Sequence, residues 1–147
     1  MKRIPRHIGI IPDGNRRWAR QNGLKKEEGY AYGLEPGLKL LQAARAYGIQ
    51  ELTYYGFTVD NCKRPKEQVA AFSDACVSAV KLLKQEAAEL HVIGNTGSPC
   101  FPAGLLPYTK GRPEQSRRKD ALRVNFLVNY GWEWDMKNGW ASREIPR

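Results

Sequence analysis

The 147-residue sequence lacks any apolar run approaching the roughly 20 residues that a membrane-spanning helix needs. The basic residues at its start are not followed by an apolar core of signal-peptide length. We therefore expect a cytoplasmic protein. The sequence also lacks internal repeats, a domain linker and low-complexity tracts, and its length suffices for one hydrophobic core. Residues 1–147 are thus expected to form a single domain.

Cysteine and histidine are scarce, with three and two residues respectively. Cys62, Cys76 and Cys100 are odd in number, widely spaced and without a Cys-x-x-Cys pair, which argues against a disulfide framework and against a zinc site. We interpret them as reduced thiols. His91 has no second histidine or cysteine near it in the sequence, so we interpret it as a structural residue and not as a metal ligand.

Acidic residues are few in the amino-terminal part of the chain. The formal net charge is +9, and residues 1–26 contain eight Lys or Arg but only one acid, Asp13. Such a concentration of positive charge attracts diphosphates, nucleic acid or an anionic membrane surface, and charge alone does not choose among them. Trp18 is the only aromatic residue between these arginines, so the stacking platform typical of a single-strand binder is missing. Nucleic-acid binding therefore remains an alternative, but we do not expect the protein to have a nucleic-acid partner.

A short apolar run breaks at Pro12 and continues into Asp13-Gly14-Asn15 and a run of arginines. This pattern predicts a strand, a tight loop and the start of a helix. Gly14 permits a close approach of the backbone, and amide and guanidinium donors suit phosphate oxygens, which favours an anion-binding loop. Asp-Gly also favours a β-hairpin, although residues 16–22 show no alternation for a return strand. Asp13 is either an ion-pair partner or the ligand of a divalent metal.

Beyond this loop, patterns of helical and strand period alternate along the chain. Residues 58–64 form a second loop after a strand, residues 110–123 form a basic patch interpreted as solvated surface, and no closing element is predicted after Gly131. The order of elements is typical of an α/β fold in which helices flank a mainly parallel sheet. The predicted elements are helices at residues 34–47 and from Pro65 onward, a buried strand at residues 52–57, and strands at residues 91–93 and 121–128.

Three segments of the sequence contain motifs that are similar to those of one known protein family. Residues 7–19 contain the Asp-Gly-Asn loop followed by Arg-Trp-Ala, residues 48–69 contain a strand, an Asn-x-x-Arg-Pro loop and a helix start, and residues 125–135 contain an apolar strand that ends in Asn-Tyr-Gly. In this order and at this spacing they resemble the signatures of the cis-prenyltransferases, the undecaprenyl diphosphate synthase family. The resemblance implies the α/β fold of that family and an enzyme that condenses an allylic prenyl diphosphate with isopentenyl diphosphate.

The resemblance also assigns roles to individual residues. Asp13 matches the catalytic carboxylate with which the family binds Mg²⁺, and Asn61 matches the catalytic asparagine of the second loop. Lys26 stands where the family usually has an arginine, and Tyr30 stands where it often has a histidine. The substrate-binding positions implied in this way are Gly14, Asn15, Arg16, Arg17, Trp18, Lys26, Tyr30, Thr58, Val59, Asp60 and Arg64.

Several departures from the family pattern accompany this likeness. Pro12 replaces a methionine, Arg16 a glycine and Cys62 a tryptophan, which suggests a divergent member. The family's final signature, an arginine-rich segment that binds isopentenyl diphosphate and a glutamate of the metal site, has no counterpart before Arg147. We therefore expect an incomplete, C-terminally truncated domain that retains allylic-diphosphate binding, or a non-catalytic partner subunit of a longer homologue. A homodimer or such a heterodimer is expected, with peripheral membrane contact through the lipid product.

Overall fold

The computed structural model describes residues 3–86, 88–109 and 121–141. Most of the basic patch predicted at residues 110–123 lies outside these ranges. Short 3-10 turns cover Lys26–Glu28, Val59–Lys63 and Ala103–Tyr108. The strands are β1 His7–Ile10, β2 Glu51–Tyr55, β3 Ala88–Ile93 and β4 Leu122–Leu127, and the helices are α1 Asn15–Gln21, α2 Gly29–Tyr32, α3 Leu34–Ala46, α4 Lys66–Gln85 and α5 Trp132–Ala141.

The four strands form one sheet in the order β1-β2-β4-β3, and all three pairings are parallel. The register aligns Ile8 with Leu52, Leu52 with Val124 and Val124 with Leu90. The predicted α/β fold with a mainly parallel sheet is therefore confirmed. Because β1 pairs in parallel with β2, the hairpin alternative for the Asp-Gly loop is wrong.

Helices α3 and α4 pack against one face of the sheet. Leu41 of α3 packs with Leu52 and Val124, and Val80 of α4 packs with Val92. The other face is polar and half-buried at its central positions, which include Glu51, Thr53, His91, Arg123 and Asn125. The expectation of a wholly buried strand at residues 52–57 is thus corrected, because β2 buries its side chains on one face only.

Helix α5 also differs from expectation, since no closing element was predicted after Gly131. The amide of Asp135 donates to the Gly131 carbonyl oxygen at 3.0 Å, and the carboxylates of Glu133 and Asp135 lie in the first turn. Acidic side chains in the first turn stabilise a helix through their interaction with the positive end of the helix dipole. Among the described residues, no helix combines the length and the apolar character that crossing a membrane requires.

Candidate functional site

Two loops meet at the carboxyl edge of the sheet. The first loop, residues 11–14, connects β1 to α1, and the second loop, residues 58–64, follows β2. Because β1 and β2 are adjacent and parallel, both loops leave the sheet at the same edge. Together they line a cavity of about 680 Å³, the polar cavity. Its walls are formed by Ile11, Pro12, Asp13, Gly14, Asn15, Arg16, Arg17, Tyr30, Tyr55, Gly56, Thr58, Asp60, Asn61, Arg64 and Phe72.

The first loop presents exposed charges to this cavity. Gly14 has φ of 98°, in the left-handed region that favours glycine, and its carbonyl oxygen accepts from the Trp18 amide at 2.9 Å. Arg17 Nη2 donates to Asp13 Oδ2 at 2.7 Å, although the two side chains remain 73% and 82% exposed. An ion pair in such solvent contact contributes little to stability. Both groups are therefore free to turn towards a charged ligand at small energetic cost.

Glycines in and after α2 allow the polypeptide to pack closely around Asn15. A Cβ at Gly29 would collide with the backbone carbonyl of Asn15, and one at Gly33 would lie 3.0 Å from the Asn15 side-chain amide. Asn15 is consequently held in place where it faces the cavity. A glycine is needed at Gly29 because any larger residue would separate α1 from α2.

Tyr30 connects the region around the first loop to the second loop. It is 5% exposed, and its hydroxyl oxygen accepts a hydrogen bond from Arg64 Nη1 at 3.0 Å. The Tyr30 ring also contacts the Phe72 ring edge to face, with centroids 4.9 Å apart. The Arg64 guanidinium is thereby directed towards the cavity by a buried partner.

The second loop is fixed by hydrogen bonds to itself and to the end of β4. Thr58 Oγ1 and the Thr58 carbonyl oxygen both accept from the Asn61 amide, at 3.3 and 3.0 Å. The Val59 amide donates to the Tyr130 carbonyl oxygen at 3.2 Å. Cys62 Sγ donates to Asn129 Oδ1 at 3.3 Å, and burial, followed by a hydrogen bond with Cys100, raises the pKa of the Cys62 thiol to about 12. Cys62 therefore stays protonated and serves as a donor.

Two carboxylates border the polar cavity, those of Asp13 and Asp60. A hydrogen bond from Lys63 Nζ to Asp60 Oδ1, 2.8 Å long, holds the Asp60 pKa below its usual value. No group of three or more His, Cys, Asp or Glu residues that could enclose a metal occurs within residues 3–86, 88–109 and 121–141. Mg²⁺ is commonly held by one or two carboxylates together with substrate phosphates and water. The oxygen donors present fit that shared mode of binding and do not fit a closed protein cage.

A second, apolar cavity of about 90 Å³ lies next to the polar one. Pro12, Asn15, Tyr30, Gly56 and Phe72 line both cavities. The remaining walls come from one face each of α3 and α4 and from the sheet, through Gly33, Leu34, Gly37, Leu38, Leu41, Leu52, Tyr54, Ala75, Cys76, Ala79, Leu82, Leu83, Val124 and Phe126. A molecule with a charged head and an apolar tail matches this pair of cavities.

The structure brings most of the predicted site residues together and leaves three of them outside the cavity walls. Trp18 is 42% exposed and packs on Tyr32 with ring centroids 4.9 Å apart. Lys26 belongs to a 3-10 turn, and Val59 is 41% exposed. The binding roles of these three residues stay predictions. The predicted residues that do line the polar cavity are Asp13, Gly14, Asn15, Arg16, Arg17, Tyr30, Thr58, Asp60, Asn61 and Arg64.

Sequence reasoning did not assign five other residues of the polar cavity to the site, namely Ile11, Pro12, Tyr55, Gly56 and Phe72. Tyr55 and Gly56 could have been found, because they stand at the carboxyl end of a strand predicted to be parallel. Phe72 could not, since its helical spacing indicates only that it faces the interior and not which space it borders.

The fold matches that of a solved prenyl diphosphate enzyme. Lavandulyl diphosphate synthase from Lavandula x intermedia, solved in complex with dimethylallyl diphosphate, aligns with a TM-score of 0.72. The alignment covers 95% of this chain and 65% of that chain at 22% sequence identity. At this identity the likeness shows the fold, a parallel sheet flanked by helices.

The family follows from sequence comparison. The family model described as "Putative undecaprenyl diphosphate synthase" matches residues 11–144. The chain therefore belongs to the undecaprenyl diphosphate synthase family, the cis-prenyltransferases, as the three sequence segments predicted.

Curated relatives carry names consistent with this family. The farnesyl-diphosphate-specific ditrans,polycis-undecaprenyl-diphosphate synthase of Pasteurella multocida is 34% identical over 90% of this chain and 56% of its own length. The corresponding synthase of Shewanella oneidensis is 31% identical over 90% and 49%. The isoprenyl transferase of Chlorobaculum tepidum is 32% identical over 97% and 54%. The chain spans about half the length of the curated relatives it matches.

Proposed function

We propose that this chain binds the allylic prenyl diphosphate of a cis-prenyl transfer reaction, in which that substrate condenses with isopentenyl diphosphate. The observation that carries the proposal is that a polar, arginine-lined cavity and an apolar cavity share part of their walls. The diphosphate would occupy the polar cavity, and the prenyl tail would enter the apolar cavity. The names of the relatives and of the structural neighbour support the same substrate class.

The side chains of the polar cavity suit a diphosphate. Arg16, Arg17 and Arg64 supply guanidinium groups, which bind phosphate oxygens through charge-assisted and often bidentate hydrogen bonds. Asn15 and Asn61 add neutral amide donors. Donors that are already in place when negative charge develops on a departing diphosphate lower the barrier to its departure. Asn61, which is 9% exposed, is buried and is the proposed catalytic amide.

The two carboxylates provide the remaining chemistry. Asp13 would hold Mg²⁺ together with the diphosphate, and Asp60 would accept hydrogen bonds from its water ligands. When bound, the ion neutralises charge on the leaving diphosphate. Breaking the Asp13–Arg17 pair on binding would release the guanidinium towards the phosphates.

A second candidate function is that of a partner subunit beside a longer homologue, or of a homodimer. All-parallel sheets are usually covered on both faces, whereas here the face bearing Thr53 and Asn125 is half-buried and β1 is an edge strand. Further polypeptide packed on that face would complete the layer. Coexpression with a longer homologue tests this idea. Copurification, with condensation occurring only in the mixture, would support it.

Thermal protection tests the binding proposal. A ligand that binds only the folded chain at one hundred times its Kd stabilises it by about 2.7 kcal/mol. We expect inorganic diphosphate with Mg²⁺ to raise the melting temperature and single-stranded DNA of equal phosphate concentration to leave it unchanged. Protection by DNA and none by diphosphate would instead favour a nucleic-acid-binding protein.

A condensation assay tests how complete the activity is. The full chain is incubated with Mg²⁺, labelled isopentenyl diphosphate and either dimethylallyl or farnesyl diphosphate. We expect little or no elongation with either substrate by this chain alone. Under the second candidate function, the copurified mixture of the coexpression experiment would give product. Robust elongation by this chain alone would show that it needs no further polypeptide.

A further inference from the structure

Two of the three cysteines lie in neighbouring loops at the carboxyl edge of the sheet. Cys62 belongs to the second loop, and Cys100 belongs to the turns of residues 94–101, which follow β3. Both are partly buried and pack against the same hydrophobic cluster, whereas Cys76, in the middle of α4, is 3% exposed. Solvent therefore reaches Cys62 and Cys100 but is nearly excluded from Cys76.

Hydrogen bonds hold these two loops side by side. Asn129 Oδ1 accepts from Cys62 Sγ at 3.3 Å, and Asn129 Nδ2 donates to the Asn95 carbonyl oxygen at 3.1 Å. Within the turns, the Cys100 amide donates to Ser98 Oγ at 3.3 Å, and the Ser98 amide donates to the Asn95 carbonyl oxygen at 3.3 Å. The backbone segments that carry the two cysteines are therefore held next to each other.

The Cys100 side chain also acts directly on the Cys62 thiol. After burial, a hydrogen bond with Cys100 and the charge that Cys100 can carry are the next causes that raise the Cys62 pKa. Effects of this kind act between side chains that lie within a few ångströms of each other. Because Cys62 holds its proton more firmly than an ordinary thiol, Cys100 is the sulfur that attacks an oxidant first.

We propose that Cys62 and Cys100 are a redox-active pair, which a low-molecular-weight disulfide such as oxidised glutathione converts into an intramolecular disulfide. The Cys100 thiolate attacks one sulfur of the oxidant, and the first glutathione departs. The Cys62 sulfur then attacks Cys100, which forms the Cys62–Cys100 bond and expels the second glutathione. The protons of the two cysteines pass to the two departing sulfurs, two electrons pass to the oxidant, and a thiol reductant reverses both steps. Neither cysteine lines either cavity, so this inference stands apart from the proposed function.

The first step favours the second. Once Cys100 is capped by glutathione it carries no charge, so one cause of the raised Cys62 pKa disappears. The bond that then forms links the second loop to residues 94–101 and joins positions that are 38 apart in the sequence. Such a cross-link removes conformational freedom from the unfolded chain, so the oxidised protein should resist unfolding.

Oxidation of the native full chain with oxidised glutathione, followed by peptide mapping, tests this pair. We expect the protein mass to fall by two hydrogen atoms, with Cys62 joined to Cys100 and Cys76 left as a thiol. This bond should form at least about tenfold faster than any bond to Cys76, because buried structural cysteines are inert. In concentrated urea the preference should disappear, since loop length alone favours the shorter Cys62–Cys76 and Cys76–Cys100 pairings.

Variants and unfolding measurements complete the test. Cys76→Ala is the matched control and should form the bond at the parent rate. Cys62→Ser, which keeps a donor for Asn129, should instead retain one glutathione on Cys100. In the parent chain, oxidation should raise the urea midpoint by about 1 M or more, and dithiothreitol should reverse this shift.

Several results would overturn the inference. It is wrong if the native parent chain does not react or stops at a mixed disulfide with glutathione. It is also wrong if Cys76 is linked as fast as Cys100, or if the chain in urea forms the Cys62–Cys100 bond as selectively as the native chain. An oxidised form that unfolds at a lower urea concentration than the reduced form would show that the two loops do not accommodate the bond.

Discussion

The first and second loops border the same cavity but are held in opposite ways. The side chains of Asp13 and Arg17 in and after the first loop are mostly exposed and are joined by one solvent-accessible ion pair. In the second loop, Asn61 is 9% exposed, and Cys62 donates a hydrogen bond to Asn129, which is 1% exposed. The difference suggests that the second loop is a rigid wall, whereas the first can rearrange around a ligand. Substitutions that affect the second loop should therefore mainly reduce the stability of the fold. Substitutions in the first loop should mainly reduce the affinity for a ligand.

The largest expected effect concerns Asn129, which supports the second loop from the end of β4. Its Nδ2 donates to the Asn95 carbonyl oxygen at 3.1 Å, its Oδ1 accepts from Cys62, and its φ of 48° lies in the left-handed region that asparagine tolerates. Asn129→Ala removes both buried hydrogen bonds and adds backbone strain. We expect urea unfolding to show a loss of about 2–4 kcal/mol.

A matched residue of the same strand provides the control. Asn125 also makes two side-chain hydrogen bonds, to Glu51 and Thr53, but on the half-buried face of the sheet. Asn125→Ala should cost only about 1 kcal/mol, because water can replace the lost partners. Asn129→Gly removes the side chain without the backbone strain and should fall between the two. Equal losses for Asn129→Ala and Asn125→Ala would contradict the rigid-wall interpretation.

The next effect tests the first loop. Asp13→Asn removes the charge that we propose for Mg²⁺, so we expect the affinity for diphosphate in the presence of Mg²⁺ to fall by about tenfold or more. Stability should stay within about 0.5 kcal/mol of the parent value, because the carboxylate is exposed. Calorimetry and urea unfolding measure the two quantities.

Glu35→Gln is the matched control for this substitution. Glu35 pairs with Lys39 at 2.7 Å in α3, four residues apart like Asp13 and Arg17, and its side chain is similarly exposed. It lines neither cavity, so this variant should bind diphosphate like the parent chain. Parent-like affinity in Asp13→Asn would remove Asp13 from the proposed site.

These two loops also show what the sequence predicts well. The Asp-Gly-Asn loop, the Asn-x-x-Arg-Pro loop and their place after parallel strands all follow from local patterns, and the parallel sheet brings them to one edge. Local patterns specify backbone direction. The local patterns place Asp13 and Asn61 on loops that follow strands of a parallel sheet, and the family resemblance assigned both residues to one site.

Contacts between distant segments were not predictable in the same way. The motif placed Trp18 with the arginines that are predicted to bind phosphate, yet its ring packs on Tyr32 outside the cavity walls. The support that Asn129 gives to the second loop joins residues 67 positions apart. The small apolar cavity depends on how Tyr54 and Phe126 pack across two strands. Such features depend on side-chain packing in three dimensions, which spacing along one chain does not encode.

A smaller effect is expected at the contact between the two regions. Tyr30→Phe removes the hydroxyl that accepts from Arg64, so the guanidinium loses a buried partner and becomes less well positioned. We expect about a threefold loss of diphosphate affinity and about 1 kcal/mol of stability, the usual contribution of one such hydrogen bond. Calorimetry and urea unfolding detect both changes.

Tyr32→Phe is the corresponding control, because Tyr32 is 56% exposed and lies two residues further along. This variant should change neither the affinity for diphosphate nor the stability measurably. If Tyr30→Phe and Tyr32→Phe behave alike, Tyr30 does not position Arg64, and the two regions are less strongly connected than their geometry implies.

The smallest effect is expected from the one exposed ion pair described in the second loop, Asp60 with Lys63, whose side chains are 76% and 79% exposed. Lys63 lowers the Asp60 pKa, so the pair contributes stability above the pKa of the unfolded chain and loses it as the pH falls through the folded value. Lys63→Met should return the Asp60 pKa to its ordinary range, as measured by carboxyl NMR titration. It should lower stability at neutral pH only slightly, because an exposed ion pair contributes little. Lys39→Met should instead raise the pKa of Glu35 alone. A clear loss of stability in Lys63→Met at neutral pH would mean that exposed charge also fixes the second loop, and the contrast between the loops would then be one of degree.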